Sequence, residues 1–140
     1  MKNHYEITHD IAASPETVWS ALTNRETLAA ADNGITRIEG ELRDGGRIQI
    51  WTEVSPKRAF ALRVSLNSDA RAMVWEGGMP LGLFRGVRRF EVHPQENGSR
   101  FFMQEDFSGL FAGAIVRSMP DLTPSFQKFA YALAASAGAS

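Results

Sequence analysis

The chain has 140 residues, which suits a single domain over residues 1–140, and its 44% hydrophobic and 22% charged residues are typical of a globular protein. Its formal net charge of -1 argues against a polyanion-binding surface, so we expect no nucleic-acid partner. The absence of cysteine excludes disulfides, thiol catalysis and cysteine-bound metals.

Nothing in the sequence predicts a segment that crosses a membrane. The longest apolar run, residues 110–116, is far shorter than the roughly 20 residues that a transmembrane helix needs. Residues 1–10 are polar and lack the apolar centre of a secretory signal. We therefore expect a cytoplasmic protein without stable membrane insertion.

The first predicted strand covers residues 4–12. Tyr5, Ile7, His9 and Ile11 alternate with polar residues in this segment and share one face. The pattern is typical of a strand that is buried on one side.

A short helix follows in the stretch IAASPETVWSAL. Ser14 can accept a backbone amide hydrogen as the N-cap, and Pro15 suits the first helical position. Val18 and Leu22 then share one face beside Trp19. So short a helix needs a tertiary partner, and we expect Trp19 to cover one end of a cavity.

Three hairpins are predicted in the middle of the chain, and the first has the loop DGG at 44–46. A three-residue loop there pairs Leu42 with Ile48 and leaves Trp51 on the outer face. A second turn, at Ser68-Asp69, joins strands whose apolar residues fall on one side together with Trp75.

The third hairpin has the strongest turn signal, Asn-Gly in the stretch ENGS at 96–99. A two-residue turn there sets Phe90 opposite Glu105 and Arg88 opposite Phe107. One face of this hairpin then carries Arg88, Phe90, Val92, Phe101, Met103, Glu105 and Phe107.

The last predicted element is a long helix in the stretch LTPSFQKFAYAL. Thr123 suits the N-cap and Pro124 the first helical position, and a short helix or loop at 109–118 precedes them. The apolar stripe of this helix consists of Phe126, Phe129, Ala130 and Leu133.

These elements predict an α+β fold. A seven-stranded curved antiparallel sheet grips a long C-terminal helix, and two short helices at 15–30 follow the first strand. Because one helix cannot cover a seven-stranded sheet, we expect a cavity between them.

Five stretches of the chain resemble START-like, helix-grip (SRPBCC) proteins, and within them the polyketide cyclase/dehydrase and lipid-transport family: IAASPETVWSALTN, DGGRIQIWTEVSP, MVWEGGMPLGLFRGVRRFEV, GSRFFMQEDFSG and LTPSFQKFAYAL. The resemblance covers residues 5–136. It implies a cavity for hydrophobic or amphipathic small molecules. We expect no cofactor. Members of the superfamily include carriers, enzymes of aromatic cyclisation or dehydration, hormone binders and proteins that assist chaperones, so the fold leaves function open.

Arg88 and Glu105 are the charged residues that the predicted register places on the apolar face. Charges there are costly unless they are paired. Three roles remain open: a structural ion pair, a polar anchor for a carboxylate, carbonyl or phenol of a ligand, and, for Glu105, a general base.

His9 is a further catalytic candidate. It is either a hydrogen-bonded residue of the core or rim, or a proton donor or acceptor beside Arg88 and Glu105. The three histidines of the chain lack a metal-binding spacing, so we expect no metal.

The residues predicted to bind a ligand share the inner faces of the hairpins and of the last helix, and the alternative for each apolar one is a filled core: Trp75, Arg88, Phe90, Met103, Glu105, Phe107, Phe126 and Phe129. The glycine-rich segment GGMPLGLFRG at 77–86 predicts a loop across the cavity mouth. It acts either as a mobile portal or as a loop packed against the helices or a dimer partner.

Two functions are consistent with this pattern. One is a carrier or sequestering protein for a small hydrophobic ligand. The other is a cyclase/dehydratase-type enzyme in which Arg88, Glu105 and His9 handle protons. A third hypothesis, an interaction module similar to the chaperone-activator branch with a possible homodimer, rests on the outward-facing Trp51 and Phe102.

Overall fold

A computed structural model describes residues 3–138. Its elements are β1 (His4–Ile11), α1 (Pro15–Leu22), α2 (Arg25–Ala30), β2 (Ile35–Gly40), β3 (Arg47–Thr52), β4 (Ser55–Asn67), β5 (Ala72–Met79), β6 (Phe84–Gln95), β7 (Gly98–Ser108), α3 (Ala112–Ser118) and α4 (Thr123–Ser136). The strands form one antiparallel sheet in the order β1-β7-β6-β5-β4-β3-β2. The sheet curls into a half-barrel with α4 on its concave face, which confirms the predicted α+β fold.

Glycines permit the curl of the sheet where β5 and β6 pair. Gly77 lies opposite Gly86 in this pairing. A Cβ atom at Gly77 would lie 2.5 Å from the carbonyl oxygen of Ala61 and 2.9 Å from Cδ2 of Leu62, so no other residue fits without movement of the β4 backbone.

Helix α1 begins as the sequence predicts. The amide of Thr17 donates to Oγ of Ser14 at 3.2 Å, and Pro15 is the first helical residue. Val18 and Leu22 are fully buried, whereas a neighbour on the same helix, Trp19, is only partly buried. Trp19 packs against the core beside them, and its role in covering the end of a cavity stays a prediction.

The N-cap of α4 is Leu122, one residue before the predicted Thr123. Thr123 is the first helical residue rather than the N-cap, and its amide and hydroxyl donate to Oδ1 of Asp121 at 2.9 and 2.8 Å. The Asp121 carboxylate thus satisfies the start of the helix, and its negative charge also suits the positive end of the helix dipole.

All three hairpin registers are wrong by two residues, beginning with β6–β7. Arg88 lies directly opposite Glu105, and the turn consists of Glu96 and Asn97. Gly98 belongs to β7 because it is needed for a close approach: its φ is +145°, and a Cβ there would lie 2.3 Å from the carbonyl oxygen of the last β1 residue.

The loop between β2 and β3 is longer than predicted. Ile48 pairs with Gly40 rather than with Leu42. The loop is drawn toward β4, where the amide of Val64 donates to the carbonyl oxygen of Gly46 at 2.9 Å. A tertiary contact therefore sets this register.

The turn between β4 and β5 also exceeds the predicted two residues and covers 68–71. Trp75 consequently pairs with Val64. The amide of Ala70 donates to Oδ1 of Asn67 at 3.1 Å, which stabilises the wider turn.

A shift of two residues leaves every side chain on its predicted face. The apolar inner faces of the hairpins are confirmed by the fully or almost fully buried Ile48, Val64, Met73, Trp75, Phe90, Val92, Phe101 and Met103. The segment 77–86 is less of a loop than predicted, since β5 extends to Met79, β6 begins at Phe84, and only residues 80–83 connect them.

The two facing glycines provide a test of the curl. We expect Gly77→Ala to lower the free energy of unfolding by about 2 kcal/mol, because the new methyl group meets backbone atoms. Gly86→Ala is the matched control, since its Cβ would lie 3.4 Å from the nearest atom, on the Phe107 ring. Urea unfolding of both variants measures the difference; equal losses would contradict this account of the curl.

A hydrogen bond at the β1–β7 edge gives a pH-dependent contribution to stability. His4 Nδ1 lies 2.5 Å from Oδ1 of Asp106, and this bond is the main cause of the raised pKa of His4. The contribution is fully present below the ordinary histidine pKa and is lost as pH rises through the raised value. We expect NMR titration to place the His4 pKa above its ordinary value and Asp106→Asn to lower it; an unchanged pKa in that variant would contradict the assignment.

Candidate functional site

An ion pair lies on the concave face of the sheet. Nη2 and Nε of Arg88 donate to Oε1 of Glu105 at 2.6 and 3.2 Å. The two side chains are only 21% and 15% exposed. The sequence predicted that both residues share the apolar face; the observed register makes them direct rather than diagonal neighbours.

The ion pair belongs to one row of inward-facing side chains that crosses five strands. In order, the row contains Tyr5, Glu105, Arg88, Trp75 and Val64. The next row toward α1 is entirely apolar and consists of Ile7, Met103, Phe90, Met73 and Leu66. Of these two rows, only the one with the ion pair contains polar side chains.

Helix α4 supplies aromatic partners to both rows. The guanidinium of Arg88 lies over the Phe126 ring, 4.9 Å from its centroid, which is a cation–π contact. The Phe129 ring lies with its centroid 5.8 Å from that of Phe90 and 6.0 Å from that of Phe101. Phe129 therefore fills the space between α4 and the sheet at this level.

The concave face is less covered on the other side of the ion pair. Leu62 and Phe84 are only partly buried, and the Phe84 ring stacks on Phe107 at 5.8 Å. A Cβ at Gly86 would lie 3.7 Å from Oε2 of Glu105, in ordinary van der Waals contact, so a side chain at this position would meet the carboxylate. We call this region the open end; it consists of Leu62, Phe84, Gly86, Arg88, Glu105 and Phe107.

Hydrogen-bonding groups in and beside the open end are not fully used within residues 3–138. The two hydrogen bonds that Arg88 donates to Glu105, from Nε and Nη2, both end on Oε1, so Oε2 receives none from the guanidinium. The indole Nε1 of Trp75, in the same row, is buried without a partner. An unsatisfied buried donor of this kind costs about 1–3 kcal/mol, which a ligand oxygen in reach of it would recover.

His9 does not join the ion pair. It lies opposite Phe101 on β7 and contacts the ring of Tyr131, with 5.1 Å between centroids. Four residues of extended strand, about 13 Å, separate it from the position opposite Glu105. Tyr5 occupies that position, and the sequence analysis missed it because no register was predicted between the first strand and β7.

Two surface cavities lie away from these residues. One, of about 660 Å³, lies between the end of α2 and the outer side of α4 and includes Asp32, Lys128 and Tyr131. The other, of about 560 Å³, surrounds the β4–β5 turn. No candidate residue lines either one.

Residues 3–138 contain no cluster of His, Asp and Glu suited to a metal. None of the helices in this part of the chain has the length and apolar character to cross a membrane.

The strength of the ion pair can be measured by a double-mutant cycle. We expect Arg88→Met and Glu105→Gln to show a coupling free energy of about 1–2 kcal/mol in urea unfolding, because the pair is largely shielded from water. The exposed pair Arg100–Asp10, at 2.9 Å, is the matched control and should couple more weakly. Equal coupling in both cycles would mean that partial burial adds nothing to the inner pair.

Comparisons with known proteins identify the family of this chain and relate its fold to solved structures. The family model described as "Polyketide cyclase / dehydrase and lipid transport" matches residues 2–138. A comparison with curated protein sequences found no match.

Solved structures share the fold at low sequence identity. An aromatase/cyclase, ZhuI from Streptomyces sp. R1128, superposes with a TM-score of 0.78 at 14% identity, covering 96% of this chain and 93% of that one. A START superfamily protein from Mycobacterium smegmatis has a TM-score of 0.75 at 15% identity, with 98% of each chain covered. Norcoclaurine synthase from Thalictrum flavum, solved with a transition-state analogue, has a TM-score of 0.70 at 14% identity, covering 96% of this chain and 94% of that one.

Proposed function

This chain belongs to the polyketide cyclase/dehydrase and lipid transport family, and from that premise we propose that it binds a small hydrophobic or amphipathic molecule at the open end, as a carrier or sequestering protein. The apolar part of the ligand packs against Leu62, Phe84 and Phe107. Its polar end faces the ion pair.

The Arg88–Glu105 pair is the observation that carries this proposal. Removing the two charges from water costs desolvation energy. The two hydrogen bonds to the single oxygen Oε1 offset only part of this cost. The unused oxygen accepts from a ligand hydroxyl, and unused guanidinium hydrogens donate to a ligand carbonyl or carboxylate. Few polar groups in an apolar surround are typical of a small-molecule site.

Extraction of the purified protein identifies such a ligand directly. Organic solvent is applied to protein made in two different hosts, and the extract is compared by mass spectrometry with one from Glu105→Gln. An amphipathic compound enriched from the wild type supports the proposal; no enriched compound from either host counts against it.

Filling the space at Gly86 tests the location. We expect Gly86→Val to weaken binding of the extracted compound, or of the fluorescent probe anilinonaphthalene sulfonate, at least about tenfold, because the new side chain occupies the space beside the Glu105 oxygen. Arg89→Val, which adds the same side chain to the exposed outer face of β6, is the matched control. Fluorescence titration measures both; unchanged affinity in Gly86→Val would place binding elsewhere.

An enzyme of the cyclase/dehydratase type is the second candidate, and the Oε2 oxygen of Glu105, which receives no hydrogen bond from Arg88, is what favours it. A carboxylate oxygen that its ion-pair partner does not engage can take a proton from a bound substrate. In that case Glu105→Gln abolishes turnover of a polyketide-like substrate while its affinity changes only a few-fold. A Glu105→Gln variant that retains turnover, or that loses affinity and turnover together, contradicts the general-base role.

A further inference from the structure

Four large apolar side chains project into solvent at one end of the sheet. Met79 is 40% exposed, Leu81 93%, Leu110 77% and Phe111 44%. The first two belong to the β5–β6 turn, and the others to the connection between β7 and α3. We call these four residues the apolar tip. The tip lies beyond the open end, because Phe84 and Phe107 are close neighbours of its two segments in the sequence.

The two segments of the apolar tip are held together by their backbones. The amide of Leu110 donates to the carbonyl oxygen of Gly82 at 3.2 Å, and that of Phe111 donates to Leu83 at 2.7 Å. Gly109 permits this approach, since a Cβ there would lie 2.8 Å from the oxygen of Gly82. The two segments are therefore held side by side, and their four exposed side chains lie together at this end of the sheet.

Leu81 adopts a backbone conformation that is unfavourable for leucine. Its φ is +62°, in the left-handed region that favours glycine and asparagine. A leucine that is 93% exposed repays none of this strain through packing in the folded chain. Residues in sparsely populated backbone conformations cluster at functional sites, and at Leu81 the exposed side chain is the part that a partner would contact.

Cationic residues lie at the same end of the sheet. Lys57 and Arg58 are near the start of β4, which runs antiparallel to β5 and so begins where β5 ends. Arg85 is near the start of β6, where it pairs with Glu76, and Arg117 is in the last turn of α3. The carboxylates at this end, Glu53, Glu76 and Asp106, are each paired with a basic residue, whereas no ion pair within residues 3–138 involves Lys57 or Arg58. Lys57 and Arg58 therefore add positive charge at the end that carries the apolar tip, although the whole chain has a net charge of -1.

We propose that the apolar tip docks onto an anionic membrane surface, with its four side chains among the lipid chains and the surrounding cations at the headgroups. Apolar side chains flanked by Lys and Arg are the combination that binds peripherally to such a surface. A stable protein interface needs about 20–30 residues on each side, far more than the four of the tip, so a second copy of the chain fits less well. The proposal is independent of ligand binding at the open end.

Vesicle co-sedimentation tests this docking. The full chain is mixed with vesicles of phosphatidylcholine alone and of phosphatidylcholine with phosphatidylserine. We expect the bound fraction to be larger on the mixed vesicles and to fall as salt is raised, because salt screens the cationic contribution. A wild-type chain that binds neither vesicle overturns the proposal.

Two substitutions remove apolar side chains without harming the fold. Leu81→Asn suits the left-handed conformation, and Phe111→Ser places a capping residue at the start of α3, where Phe111 makes no capping bond. We expect the double variant to melt no lower than the wild type and to bind mixed vesicles at least about tenfold more weakly. The matched control is Tyr131→Ser, which removes a 61% exposed aromatic from the outer side of α4 and should bind normally.

The cationic contribution has its own control. Lys57→Gln should reduce the preference for mixed vesicles, whereas Arg100→Gln, with the same change in charge near the opposite end of the sheet, should not. Equal effects of both variants would indicate non-specific charge attraction and overturn the docking geometry. A wild-type dimer in light scattering that Leu81→Asn dissociates would assign the tip to a contact between copies, and this result also overturns the proposal.

Discussion

The alternation of side chains along β6 and β7 is the constraint on which the site depends. With Phe90 paired to Met103 on the inner face, the residues two positions away, Arg88 and Glu105, must also point inward. Turning the charged pair outward would expose Phe90 and Met103, whose burial is worth about 2–3 kcal/mol each. The ion pair is thus held on the concave face by the apolar neighbours in its own strands, and α4 adds a ring beneath the guanidinium.

The same alternation explains how much of the fold the sequence could reveal. A period-two pattern predicts which face of the sheet a residue occupies. This assignment was correct in all three hairpins, although each observed register differs from the predicted one by two residues. The turns could not be read in this way, because contacts from elsewhere in the chain decide them. Gly98 is required against the end of β1, and the loop before β3 is bonded to Val64, which is distant in sequence.

The candidate site was predictable to a similar extent. The inward direction of Arg88 and Glu105 followed from alternation alone, but their direct contact required the true register. His9 lies on the predicted face of β1, but four residues along the strand from the position opposite Glu105. Only the pairing between β1 and β7 shows that Tyr5 occupies that position. The filling of the interior by Phe129 depends on the position of α4 over the sheet, which helical periodicity does not specify.

The two ends of the concave face differ in how much apolar surface they bury. At the end near α1, Ile11, Val18 and Phe101 are at most 2% exposed, so burial there supplies stability. At the other end, the strain of an exposed Leu81 costs on the order of 1 kcal/mol and returns nothing within the chain. A domain with a total stability of about 5–15 kcal/mol can carry that cost. Burial at the end near α1 therefore maintains the fold, while the open end and the apolar tip contribute less to stability.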